Sequence, residues 1–176
     1  YCNRPTESEN ASTVIDHIDA FSQYSHNNVT LWSSLKELPS MDMLKKFDCI
    51  VIHYTLSLLY EKYIPAESLE KIREFEGLKI LFIQDEYRRV DFVCDKIKYA
   101  RIDLVYTCAP PDVAAQIYAS LEGKVALSTT LTGYVPEQLS EVKTKPLTER
   151  PIDVGYRARK CPFFLGRKSH EKFLIG

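Results

Sequence analysis

Apolar residues in this chain gather in short, strand-sized and interrupted runs, most of them ending in a polar cluster and followed by a longer stretch of helical periodicity. The runs are residues 47–54 (FDCIVIHY), 78–83 (LKILFI), 102–108 (IDLVYTC) and 125–130 (VALSTT), with a shorter one at 29–32 (VTLW). Runs of this length without alternation predict strands covered on both faces. Between them, Leu69, Ile72 and Phe75 mark one helix face; Val90, Val93, Cys94, Ile97 and Ala100 mark the next; Val113, Ile117 and Leu121 mark a third. Ser12 stands where it can cap an earlier helix with Val14, Ile15, Ile18 and Phe21 on its apolar face, and residues 56–63 predict one more helix. Pro65 and the Pro110–Pro111 pair sit at helix starts, and Gly77 and Gly123 at helix ends. The alternation predicts right-handed βαβ crossovers and an α/β fold: a doubly wound, mainly parallel sheet with helices on both faces.

The flanks read differently. Residues 1–5 (YCNRP) look like a strand tail turning into a loop, whereas 143–151 (KTKPLTERP) is charged and proline-punctuated, as linkers are. Residues 152–156 (IDVGY) predict a further strand and 169–175 a further helix. The expected organisation is one domain over 1–142, a linker over 143–151, and then 152–176 as the last unit of the same sheet or the start of a second domain. A chain that opens on Tyr1 and closes on Gly176 is expected to be a piece of a longer protein.

Composition narrows the function classes. With 176 residues, 45% hydrophobic and 27% charged, the chain supports a packed core and is not of disordered type. A formal net charge of -1 gives no electrostatic case for nucleic acid or an anionic membrane surface. No apolar run approaches the ~20 residues of a membrane-spanning helix. The five cysteines form no CxxC pair, which fits a reducing compartment, so a cytoplasmic location is expected. The six glycines form neither GxGxxG nor GxxxxGK[ST], there is no GxSxG elbow, and the four histidines lack HExxH spacing. No cofactor and no metal are expected.

Candidate chemistry collects at the strand carboxyl ends. His53 and Tyr54 follow one strand; Gln84, Asp85, Glu86, Tyr87 and Arg88 follow the next; Thr107 ends the third, and Thr129 to Tyr134 the fourth. In a parallel sheet all these emerge on one edge, where open α/β sheets bind ligands. An imidazole, two carboxylates, amide and hydroxyl groups and an arginine suit a polyhydroxylated or charged small ligand. Each also has a structural reading. His53 can cap a strand, Asp85 and Glu86 can form a solvated pair with Arg88 and Arg89, and Gly133 can serve a turn.

The segments IHYTL, FIQDEYR, TTLTGYVPE and RPIDVGYRAR, followed by LGRKSHEKFLIG, resemble the amino-terminal part of bacterial glycosyltransferases of the GT-B type, family 1- or family 4-like members of polysaccharide-biosynthesis clusters. The chain departs from that pattern at Arg89, where an aromatic is expected, and at Ala158, where a glycine is. The resemblance implies a Rossmann-like domain, half of a GT-B fold, that holds a hydroxyl or saccharide acceptor. The nucleotide sugar is then held mainly by a carboxyl-terminal domain, and 1–176 alone is inactive. It marks His53, Asp85 and Glu86 as catalytic candidates. Tyr54, Gln84, Tyr87, Arg88, Thr130, Gly133 and Tyr134 become substrate-binding candidates. A nucleotide-sugar epimerase of similar design and a non-catalytic sugar-binding or interaction domain are the alternatives.

Overall fold

The computed structural model describes residues 1–6, 12–86, 88–131, 133–156, 166–167, 171 and 174. The chain divides into two compact units, Tyr1–Pro136 and Glu137–Gly176. The first carries a four-stranded sheet of β1 (Cys49–Ile52), β2 (Leu78–Ile83), β3 (Leu104–Thr107) and β4 (Ala126–Thr129), in that order and all parallel. Two short segments prolong it beyond β1. Tyr1 N donates to Val51 O at 2.8 Å and His53 N to Tyr1 O at 2.9 Å, which is the bonding of a parallel ladder. On the far side Cys2 pairs in parallel with Ser33. The spatial order is therefore residue 33, residues 1–2, β1, β2, β3, β4.

This order fixes where the helices lie. Each step from β1 to β4 moves the same way across the sheet, so crossovers of one hand place α3 (Ala66–Glu74), α4 (Val90–Ala100) and α5 (Pro111–Ile117) on one face. The step from residue 2 to residue 33 runs the other way and puts α1 (Ser12–Tyr24) on the opposite face. Side chains agree. Ile50, Ile52, Leu81 and Val105 pack into one buried core with Ile72, Val93, Cys94, Ile97 and Ala114, joined by Leu44 from α2 (Met41–Leu44). On the other face Phe82 stacks on its register partner Tyr106 at 4.6 Å between ring centroids, and Phe21 of α1 meets Phe82 edge-on at 5.2 Å. The architecture is the expected α/β, Rossmann-like one. The reversal of direction between residues 1–2 and β1 is a topological switch point.

Several local expectations are corrected. Residues 56–63 form turns instead of a helix. Ser57 Oγ takes the Leu59 N–H at 3.2 Å, a side-chain turn that competes with helical bonding, while Leu56 and Leu58 plug the core. Gly77 does not cap α3, which ends at Glu74 with Phe75 already extended. A Cβ on Gly77 would lie 2.4 Å from Asp48 O, so close backbone approach is what demands glycine there. The buried face of α5 and the turn after it is Ala114, Tyr118 and Leu121, with Val113 exposed.

In the second unit, Glu137–Glu141 and Leu147–Glu149 are short 3₁₀ helices, and Arg150 Nε donates to Lys145 O at 3.0 Å. Residues 152–156 form no strand; Ile152 and Val154 stay exposed, without the covered face that stabilises a strand. The helix expected over 169–175 lies largely outside the described residues. Among the described residues no helix is long and apolar enough to cross a membrane.

Candidate functional site

β1 delivers His53 to the carboxyl edge directly beside the switch point. His53 is only 3% exposed, and both its ring nitrogens are engaged. Thr55 N donates to Nδ1 at 3.2 Å, and Thr55 Oγ1 lies 3.0 Å from the same atom while accepting from Asn3 N at 2.9 Å. A nitrogen that accepts an N–H carries no hydrogen, so neutral His53 holds its hydrogen on Nε2 and donates to Nδ1 of His17 at 2.9 Å. His17 then carries its own hydrogen on Nε2. Burial, and then the neighbouring His17, push the His53 pKa down to about 3; burial also lowers that of His17. The pair is neutral at neutral pH.

His17 is the half-buried member, ringed by Phe21, Tyr54 and Phe82 at 5.5, 5.3 and 5.8 Å between centroids. Helix α1 is tied to the edge by a two-pronged Arg4–Asp19 pair, Nη2–Oδ2 at 2.8 Å and Nε–Oδ1 at 3.2 Å. Tyr54 lies against His53, 4.0 Å between ring centres. Sequence reasoning picked out His53 and Tyr54 but missed His17. The available signal was its i, i+4 spacing to Phe21, which places an imidazole on the flank of the apolar face.

From the end of β2 the chain enters a constrained loop. Asp85 and Arg89 both adopt left-handed backbone, with φ of 63° and 45°. Glu86 Oε1 accepts from Thr107 Oγ1 at 2.5 Å and from Cys108 N at 3.1 Å, and Thr107 Oγ1 accepts from Ala109 N at 3.1 Å. Glu86 therefore pins the tail of β2 onto the end of β3. Arg88 Nη1 donates to Tyr60 OH at 3.3 Å, and the Arg89 guanidinium lies 4.4 Å from the centre of the Phe92 ring. Asp85 is exposed and Gln84 half-buried; Tyr87 lies outside the described residues.

After β4, Thr130 N donates to Thr107 O at 2.9 Å and continues the ladder. His53, Asp85 and Thr130 thus share one edge. Tyr134 OH donates to Tyr24 OH at 2.7 Å, so α1 runs from the end of β1 at His17 to the loop beyond β4 at Tyr24. Gly133 is exposed and keeps a negative φ, which any residue can adopt. The edge holds two groupings: an aromatic–imidazole cluster beside α1, and the Asp85–Glu86–Arg88 loop between β2 and α4. Among the described residues, no three His, Cys, Asp or Glu side chains are arranged to hold a metal ion. Comparison with protein-family models, curated proteins and solved structures finds no match to this chain.

Proposed function

We propose that the first unit is the acceptor side of a glycosyltransferase that moves a sugar from a nucleotide-sugar donor to a hydroxyl acceptor. The observation that carries this reading is the convergence of His53–His17, Tyr54 and the Asp85–Arg88 loop on one carboxyl edge at a switch point. Aromatic rings beside carboxylates and an arginine give a saccharide both apolar faces and hydrogen-bond partners. The likeness of FIQDEYR and TTLTGYVPE to GT-B enzymes adds the reaction type.

Of the three catalytic candidates, Asp85 is the exposed one. Glu86 is bonded to Thr107 and Cys108, and His53 is enclosed with both nitrogens bonded. In this reading Asp85 takes the acceptor proton if the reaction inverts, and orients the acceptor hydroxyl if it retains. Incubation of the intact protein with labelled nucleotide sugars and saccharide acceptors tests it. Label in the acceptor supports the proposal; epimerised sugar, or neither transfer nor saccharide binding, rejects it.

A further inference from the structure

Helix α1 is weakly held. Of its thirteen residues only Ile18 is buried, and Ile18 lies outside the main core cluster. The eleven residues of α4, by contrast, bury Val93, Cys94, Ile97 and Ala100 within that cluster. The ties of α1 to the rest of the unit include the rings of His17 and Phe21 against Phe82, the exposed Arg4–Asp19 pair, and the Tyr24–Tyr134 bond at its far end. Exposed pairs of this kind contribute little. The sheet keeps its core without α1, because Ile50, Ile52, Leu81 and Val105 are buried on the opposite face. A segment with few buried apolar contacts opens by itself, at lower free energy than global unfolding.

The bond between His17 and His53 joins this helix to β1 through a single hydrogen. Thr55 N–H holds Nδ1 of His53 as an acceptor, so the hydrogen on Nε2 needs a bare Nδ1 on His17. His17 is the half-buried partner, the one that solvent protons reach. A proton there turns the bond into two opposed N–H groups and places charge among Phe21, Tyr54 and Phe82. The surroundings do not offset it. From residues 1–4 come two cations, the Tyr1 amino group, bonded to Val51 O, and Arg4, paired with Asp19. Tyr54 keeps its hydrogen, since burial raises its pKa, and β2 presents the uncharged Phe82. On α1, Asp16 adjoins His17 in sequence and does not face it. Burial alone sets the direction of the His17 shift.

We propose that the His17–His53 bond is an acid-released latch: falling pH favours an open state in which α1 leaves the carboxyl edge while the β1–β4 sheet and its core stay folded. Release uncovers Phe82 and His53 and removes one wall of the edge. Both rings titrate lower docked than free, so the open state binds more protons and gains as pH falls below about 6.5. Each histidine that takes up a proton on release multiplies the opening constant by at most about tenfold per pH unit. The latch stands whether or not the edge transfers a sugar.

Native-state hydrogen exchange of the 176-residue chain tests this, with each rate divided by that of an unstructured peptide at the same pH. At pH 5 the Phe21 and Ser22 amides of α1 are expected to be about hundredfold or more less protected than Leu81 and Val105 of the sheet. Their opening is expected to grow about tenfold or more between pH 7 and pH 5. His17→Asn puts an amide oxygen where Nδ1 stands, takes the same hydrogen and cannot be protonated. It is expected to shrink that growth about threefold or more, and His17→Asn with His53→Gln to abolish it. Should the double variant fail to fold, the single one decides. Equal protection of α1 and the sheet at pH 5 would mean that the helix leaves only with the whole fold, and overturns the proposal. So does opening that does not grow with acid, or growth undiminished in His17→Asn.

Discussion

His17 Nδ1 and His53 Nε2 stand 2.9 Å apart, and the Thr55 N–H behind His53 decides that the hydrogen between them belongs to His53. An arrangement with one hydrogen between two rings, bonded in this way, favours the neutral pair. A proton added to His17 brings two N–H groups face to face, and one added to His53 opposes Thr55 N–H. The edge of the sheet therefore has a built-in sensitivity to acid.

The sign follows from linkage. His53 has a pKa near 6.5 in the unfolded chain and about 3 in the folded one, so between those values the unfolded state binds more protons. Stability is fully present above pH 6.5 and is lost as pH falls through that window, by an upper limit of ~4–5 kcal/mol. Urea denaturation from pH 7 to pH 4 measures this. His53→Gln is expected to lower stability at pH 7 but to flatten the pH profile. An unchanged slope in the variant would assign the acid sensitivity to other groups.

Glu86 and Thr107 provide a second test, because their bond joins β2's tail to a fully buried hydroxyl. Thr107→Val keeps the shape and removes the donor, and is expected to cost about 1–3 kcal/mol. Combined with Glu86→Gln in a double-mutant cycle, the coupling is expected at about 1 kcal/mol or more. Additive single effects would mean that the loop is held by its other contacts.

Most of the first unit could be read along the chain because the two signals that built it are local. Runs such as LKILFI declare buried strands, and Val93, Cys94, Ile97 and Ala100 declare a helix face. Parallel pairing then follows from the crossovers. The switch point could not be read that way, since it rests on residues 1–2 and 33, where single bridges replace a run. His17 escaped for the same reason: its partner is 36 positions away, and only the sheet order brings them together. Residues 56–63 misled because Leu56, Leu58 and Leu59 look equally apolar in a helix or a folded loop; the Ser57 turn decides, and it is a three-atom detail.

Gly77 shows how a correct residue can carry the wrong reason. If it were a helix cap, alanine would be tolerated to within about 1 kcal/mol. A Cβ there would instead meet Asp48 O at 2.4 Å and the Phe75 ring at 2.5 Å. Gly77→Ala is expected to destabilise by about 2–3 kcal/mol, through displacement of the β1 entry and of a core aromatic. Chemical denaturation gives the value directly, and a loss below 1 kcal/mol would restore the capping role.

Asp85 joins backbone and chemistry. Its φ of 63° costs a β-carbon-bearing residue about 1 kcal/mol, less for Asp and Asn than for others, because their short polar side chains suit the left-handed region. Asp85→Asn keeps that preference and the shape while removing the carboxylate, so stability is expected to change by no more than about 0.5 kcal/mol. Asp85→Ala loses both and is expected to cost about 1 kcal/mol. If the proposed transfer holds and Asp85 is its base in an inverting reaction, both variants of the intact protein lose about 10²-fold or more in kcat, with KM for the acceptor little changed. If it only orients the acceptor, Asn retains much of the rate and the loss falls on KM. Steady-state kinetics of the two variants beside their unfolding curves separates these outcomes. Full activity in Asp85→Asn would leave the carboxylate with no part in the transfer step.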